Sequence, residues 1–184
     1  MKNSQWWLVA LCVTQLQAAD RYHLDSSNTQ VSFAVHHLGI EWASAHFSDI
    51  NGELVMDRAG AASRVSVSVG LASLECRDPV WNERLRSAEW LDVQRFPRMT
   101  YRSSSIERAD QHAVATGELT LHGTTRPIVL EVTFLKCSSA GSCRFMARGR
   151  IKRSEYGLPH GFWTGGDQVD IAISGALGRG APGQ

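Results

Sequence analysis

The chain has 184 residues, 43% of them hydrophobic, which suits one globular domain with a sizeable core and excludes global disorder. Its 19 Lys and Arg against 18 Asp and Glu leave a formal charge of +1, too balanced for the electrostatic footprint of a nucleic-acid binder.

Residues 1–19 read apart from the rest. Lys2 is the only charge before Asp20, Trp6 to Val13 is an unbroken apolar run, and the small residues Ala18 and Ala19 close the segment. A positive start, an apolar stretch too short to span a bilayer and a small-residue end describe an export signal. The cut is placed after Ala19, although Gln17 stands where a small residue is preferred. Leu11 before Cys12 is too bulky for a lipoprotein box, and an uncleaved N-terminal anchor is the alternative. The expected organisation is a signal peptide over 1–19, one domain over 20–177 and a flexible tail over 178–184, in a periplasmic protein. Loss of Lys2 leaves 18 charges of each sign in the mature chain.

From there the recurring feature is period-two alternation. Val31, Phe33 and Val35 alternate with Ser32, Ala34 and His36, and Val65, Val67, Val69 and Leu71 with Ser66, Ser68, Gly70 and Ala72. Ile128, Leu130, Val132 and Phe134 form another apolar face, blurred by Val129 and Leu135. Phe145, Ala147, Gly149 and Ile151 oppose Met146, Arg148, Arg150 and Lys152, and Val169, Ile171 and Ile173 oppose Asp170, Ala172 and Ser174. Successive strand side chains point to opposite faces, so each run buries one face and wets the other, the habit of antiparallel sheets. Glu53 to Met56, Met99 to Glu107 and Ala113 to His122 read as further strands. Turn signals fall at Asn51-Gly52, Arg58 to Ser63, Ala109 to Gln111 and His122-Gly123. About eight strands with short connections predict a barrel or a sandwich.

One segment breaks the rhythm. Asp78-Pro79 reads as an N-cap followed by proline at the first helical position. Trp81, Leu85, Ala88 and Leu91 then follow at helical spacing, and Phe96-Pro97 forces an extended exit. A lone helix could simply cover the core, or it could gate one mouth of a barrel. Arg77, Arg84 and Arg86 lie on or beside it and are candidate contacts for an anionic head group, against the alternative of solvated surface residues. Arg144, Arg148, Arg150 and Lys152 share the outward face of one strand. That stripe reads as the guard of an edge strand, or as a transient contact with an anionic membrane surface.

Cys137 and Cys143 flank the turn-like Ser138-Ser139-Ala140-Gly141-Ser142. An oxidising compartment would allow a disulfide across it, contributing about 2 kcal/mol on the chain-entropy model; two free thiols are the alternative. Cys76 has no evident partner. Chemistry-bearing motifs are missing: no His-Glu-x-x-His or Cys-x-x-Cys for a metal, and no Gly-x-Ser-x-Gly nucleophile elbow. His36 and His37 are adjacent on a strand and point apart. Gly178, Gly180 and Gly183 fit Gly-x-Gly-x-x-Gly, but the sequence stops at Gln184 with no helix to follow. No catalytic residue, metal ligand or cofactor is expected.

Several stretches together carry a resemblance. Tyr22-His23-Leu24-Asp25 leads to Val31, Phe33 and His37-Leu38-Gly39-Ile40, with Phe47, Gly52 and Asp57 beyond. Leu85-Arg86-Ser87-Ala88-Glu89 follows, with Asp92 and Phe96-Pro97. Next come Gly117-Glu118-Leu119-Thr120-Leu121-His122-Gly123-Thr124-Thr125-Arg126-Pro127, Arg153-Ser154-Glu155-Tyr156-Gly157 and Gly166-Asp167-Gln168-Val169. In this order they resemble the YceI family of exported lipocalin-like proteins from about Tyr22 to Leu177. The chain departs from the family pattern at Asn28-Thr29, Ala45, Cys76 and Trp81-Asn82-Glu83-Arg84-Leu85.

The resemblance implies an all-β fold, an extended eight-stranded antiparallel lipocalin-like barrel with one short α-helix. It also implies a polyisoprenoid, fatty acid or related amphiphile as ligand, bound without metal or organic cofactor. Alternation nominates Phe33, Val35, Val67, Val69, Tyr101, Leu119, Leu130, Val132, Phe145 and Ile171 for the inner face. An eight-stranded barrel can fill itself with side chains or hold one small ligand, and the resemblance favours the ligand. A metal-independent enzyme using His37, His122 and Asp167, and a surface-interaction module with a packed core, are the alternatives.

Overall fold

Alternating stretches of this kind cannot bury their apolar faces singly, and here they join into one sheet. The computed structural model describes residues 19–37, 40–56, 63–137, 142–160 and 166–177, without the side chains of 36, 37, 40–42, 136 and 137. The strands are β1 (Asp20–Asp25), β2 (Thr29–His37), β3 (Ile40–Phe47), β4 (Ile50–Met56), β5 (Arg64–Gly70) and β6 (Leu74–Cys76). After helix α1 (Pro79–Arg86) come β7 (Arg98–Ala109), β8 (His112–Leu121), β9 (Thr124–Cys137), β10 (Cys143–Lys152) and β11 (Gln168–Leu177). They form one antiparallel sheet in the order β1-β4-β5-β7-β8-β9-β10-β11-β2-β3-β6. The sheet curls into a barrel-like shell: at its β1 edge, Tyr22 and Leu24 pack with Leu177 of β11.

The expected count of eight strands is corrected to eleven among the described residues. The three additions carry weak apolar signals. β1 has only Tyr22 and Leu24 buried, β3 presents small Ala45 before Phe47, and β6 is three residues long. Asn51-Gly52 is not a turn but lies inside β4, opposite Ser68 and Val67. A Cβ on Gly52 would come within 2.8 Å of the Ser66 carbonyl oxygen, so glycine serves close strand approach there. His122-Gly123 is a two-residue hairpin turn with φ of 50° and 72°, the mirror-image geometry that matches strand twist.

Bulges explain where alternation drifts. The β7–β8 register shifts between Ser103 and Ser105, which carries the inward face from Tyr101 to Ile106. A second shift, between Arg144 and Phe145, pairs Phe145 with Phe134 and leaves Leu135 on the outside. The charged stripe of Arg144, Arg148, Arg150 and Lys152 is exposed, yet its strand is no edge. β10 pairs with both β9 and β11, which overturns the edge-guard reading.

α1 starts as its sequence dictates, the Asp78 carboxylate accepting from the Val80 amide at 3.0 Å. It stops at Arg86, short of Ala88 and Leu91, because Ser87 turns extended and its hydroxyl donates to the Arg84 carbonyl at 2.7 Å. Leu91 still reaches the core beside Leu85, by a turn rather than by helical periodicity. The helix thus lies against β6 at the open edge of the sheet.

Candidate functional site: an apolar interior and its mouth

The inward faces do not fill the curl completely. One cavity of about 150 Å³ is walled by Val67, Val69, Tyr101, Leu119, Leu130, Val132, Phe145 and Ile171, among others. A second, of about 100 Å³, has Phe33, Val35, Leu85, Trp90 and Arg153 in its wall. Val31, Met99, Leu119 and Ile171 belong to both and form the wall between them. All ten residues nominated by alternation line one or both cavities.

Polar groups along this path are turned to protein partners. The buried Tyr101 hydroxyl donates to the Ala115 carbonyl at 3.0 Å, and burial pushes its pKa up to about 12, so it stays a neutral phenol. The hydroxyl of buried Thr29 donates to the Asn28 side-chain oxygen at 2.7 Å.

The second cavity backs onto an outer pocket, which shares Phe33, Val35, Leu85, Trp90 and Arg153 and adds Cys76, Arg77, Asp78 and Trp81. Trp90 meets Trp81 edge-on, with centroids 6.3 Å apart. Arg153 is only 5% exposed, and its guanidinium lies 5.9 Å from the Trp90 ring centre. Burial lowers its pKa while nearby Asp167 raises it, and the group remains a cation at any physiological pH. Asp167 itself accepts from the Ser154 amide at 2.8 Å and the Ser154 hydroxyl at 2.7 Å. Burial works against the Asp167 carboxylate, but the Ser154 bonds, His160 and Arg153 together hold its pKa below the usual range.

The three arginines nominated for the head group part company. Arg77 lines the outer pocket. Arg84 is exposed and lies over the Trp81 ring at 5.1 Å. Arg86 turns back and donates to the Leu74 carbonyl, tying α1 to β6, and its Nε is buried with no hydrogen-bond partner among the described residues. Arg153 carried no cavity role in the sequence, where it stands only within the Arg153-Ser154-Glu155-Tyr156-Gly157 stretch, just past the end of β10. The signal was available: it continues the inward parity of Phe145, Ala147, Gly149 and Ile151. Trp90 had no periodic signal, lying beyond the end of the helix.

The remaining candidates sort as follows. No group of three or more His, Cys, Asp or Glu among the described residues could hold a metal ion. His122 Nδ1 lies 3.2 Å from the Tyr156 carbonyl oxygen and its ring packs against Phe96, a corner role. The side chain of His37 lies outside the described residues, and neither His122 nor Asp167 lines the two apolar cavities. Cys143 is disulfide-bonded and the ladder sets Cys137 opposite it, although the Cys137 side chain is outside the described residues. Cys76 is a free thiol whose pKa is raised by burial, against the opposing charge of Arg86.

A family model for the YceI-like domain matches residues 22–177. A UPF0312 protein of Enterobacter sp. (strain 638) is 32% identical over 164 residues, covering 85% of each chain. Protein YceI of Salmonella arizonae is 30% identical over 171 residues, covering 89% of this chain and 90% of the relative. Among solved structures, BcnA of Burkholderia cenocepacia superposes with a TM-score of 0.73 at 24% identity, covering 83% of this chain and 98% of that one. A polyisoprenoid binding domain from Saccharophagus degradans, implicated in plant cell wall breakdown, gives 0.62 at 14% identity, covering 88% and 99%. These two likenesses show the fold, whereas the match over residues 22–177 shows the family: the chain belongs to the YceI-like family.

Proposed function

We propose that this protein holds the apolar tail of an amphiphile, a polyisoprenoid, fatty acid or related lipid, inside its curled sheet, for transport, storage or sequestration in the periplasm. The carrying observation is the pair of apolar cavities that share the wall residues Val31, Met99, Leu119 and Ile171, the second also sharing wall residues with a pocket at α1. The polyisoprenoid-binding domain of like fold supports the same ligand class. Burial of a tail contributes about 0.8 kcal/mol per methylene before the costs of association, so aliphatic walls suffice and no reacting group is required. The reading is of a binding protein and not an enzyme.

The cavities, about 150 and 100 Å³, are smaller than the roughly 300–1,000 Å³ usual for small-molecule sites. A long tail therefore enters by displacing side chains, and Met99, unbranched and adaptable, is the yielding member of the wall between the cavities. The leader expected over residues 1–19 lies almost wholly outside the described residues, and export remains part of the proposal. So does brief contact of the Arg144, Arg148 and Lys152 face with an anionic bilayer during ligand exchange; Arg150 contributes less, being paired with Asp170 at 2.5 Å.

Native mass spectrometry of protein purified from the periplasm, followed by solvent extraction, tests the reading. The expected result is a stoichiometric adduct that extracts as a long-chain lipid. Protein that stays bare, and takes up neither added polyprenol nor fatty acid, would overturn it and turn attention to the exposed Val114, Val129 and Leu135 on the outer face of β8 and β9.

A further inference from the structure

We propose that Phe134 is the stop at the far end of the interior and sets the length of tail that the protein accepts. The assignment rests on the tail-binding reading and adds to it a selection by chain length, whatever the head group.

The two ends of the interior differ. The wall of the first cavity follows β9 from Ile128 through Leu130 and Val132 to Phe134, and none of these four lines the second cavity, which has Leu85 of α1 in its wall. On β10 the order is the same: Phe145 and Ala147 line the first cavity and Ile151 the second. Phe134 and Phe145, opposite each other in the ladder, therefore stand at the end remote from α1. Phe134 is half-buried, and the guanidinium of exposed Arg108 lies 4.7 Å from its ring centre. The ring is thus the layer between the apolar interior and solvent.

That end is built to hold its shape. The Phe134 amide donates to the Gln111 carbonyl at 2.7 Å, which ties β9 to the turn between β7 and β8. Arg108, on the same hairpin, covers the ring in a cation–π contact. Phe145 fills space that Gly175 leaves free, since a Cβ there would come within 2.8 Å of the Phe145 ring. Both phenylalanines and the disulfide-bonded Cys143 pack on Tyr22, Leu24 and Leu177. A tail can press the unbranched Met99 aside. Past Phe134 each further methylene meets a packed end, where extra volume is costly.

The test is competition binding of the full mature protein, freed of copurified lipid, with two homologous series. One is the saturated fatty acids from dodecanoate to docosanoate, the other the prenols farnesol, geranylgeraniol and solanesol. In a series that binds, wild type is expected to gain affinity with length up to one homologue and then to stop gaining. Phe134→Ala is expected to move that break to longer homologues, with affinity rising about tenfold or more for a tail that buries two further methylenes. Phe134→Leu, milder for the fold, is expected to move it the same way by less, and Val69→Ala, in the side wall, to leave it in place. Wild-type affinity that climbs through the longest homologue of each binding series overturns the assignment and needs no variant to fold. So does a break that stays put in folded Phe134→Ala and Phe134→Leu, or one that Val69→Ala moves equally. Failure of both series to bind overturns the tail-binding reading and the assignment with it.

Discussion

Two polar side chains show how single residues fit an apolar interior. The Tyr101 hydroxyl is buried and bonded to the Ala115 carbonyl, so Tyr101→Phe is expected to cost about 1 kcal/mol, read as a lower urea midpoint with unchanged slope. Asp167 has its folded pKa held below its ordinary value of 3.8, so its contribution is complete above that value and fades as pH falls through the lower, folded one. Asp167→Asn should therefore be the less stable protein at neutral pH, with the gap closing below pH of about 4 in parallel melts; a gap constant from pH 7 to 3 would contradict the ion's role. At this scale the sequence was partly legible. Alternation placed all ten nominated apolar residues on the cavity walls, whereas the burial of Arg153, just past the end of β10, depends on its tertiary neighbours, Trp90 among them.

Among the elements, those with a strong periodic signal were found and those held by context were not. β5 and β8 to β11 announced themselves, but β3 and β6 are strands chiefly because the neighbouring ladder completes them, Ala45 facing Cys76 and Phe47 facing Leu74. Bulges were invisible for a similar reason: a register shift at Ser103 to Ser105 is a property of two strands, not of one. That bulge depends on Gly117, where a Cβ would come within 2.3 Å of the Arg102 carbonyl oxygen. Gly117→Ala is expected to cost about 3 kcal/mol, against a few tenths for an open surface site, measurable by thermal melts. α1 carries its own test. Asp78→Ala removes its N-cap and is expected to cost about 1 kcal/mol, and hydrogen exchange should show the loss confined to α1 and β6.

For the molecule as a whole, one curled sheet does two jobs. Most of its inner face packs as core, and the remainder stays open as two small apolar cavities, one of which shares wall residues with an outer pocket beside α1. The expectation of a barrel-like all-β fold matched this architecture, while the number of strands and the shared cavity wall at Met99 depended on tertiary packing. Met99→Leu conserves volume and should change stability by less than about 1.5 kcal/mol. With its stiffer branched side chain, it should slow tail entry in stopped-flow binding while leaving the melting temperature near that of wild type.

The central claim, that the tail lies inside the sheet, is tested most directly by intermolecular NOEs between the chain protons of a bound lipid and methyl-labelled protein. The account predicts cross-peaks to Val67, Leu119, Leu130 and Ile171, which line the cavities, and none to Val114, Val129 or Leu135, which are exposed outside. Cross-peaks confined to those outer methyls would contradict it and place the lipid on the surface.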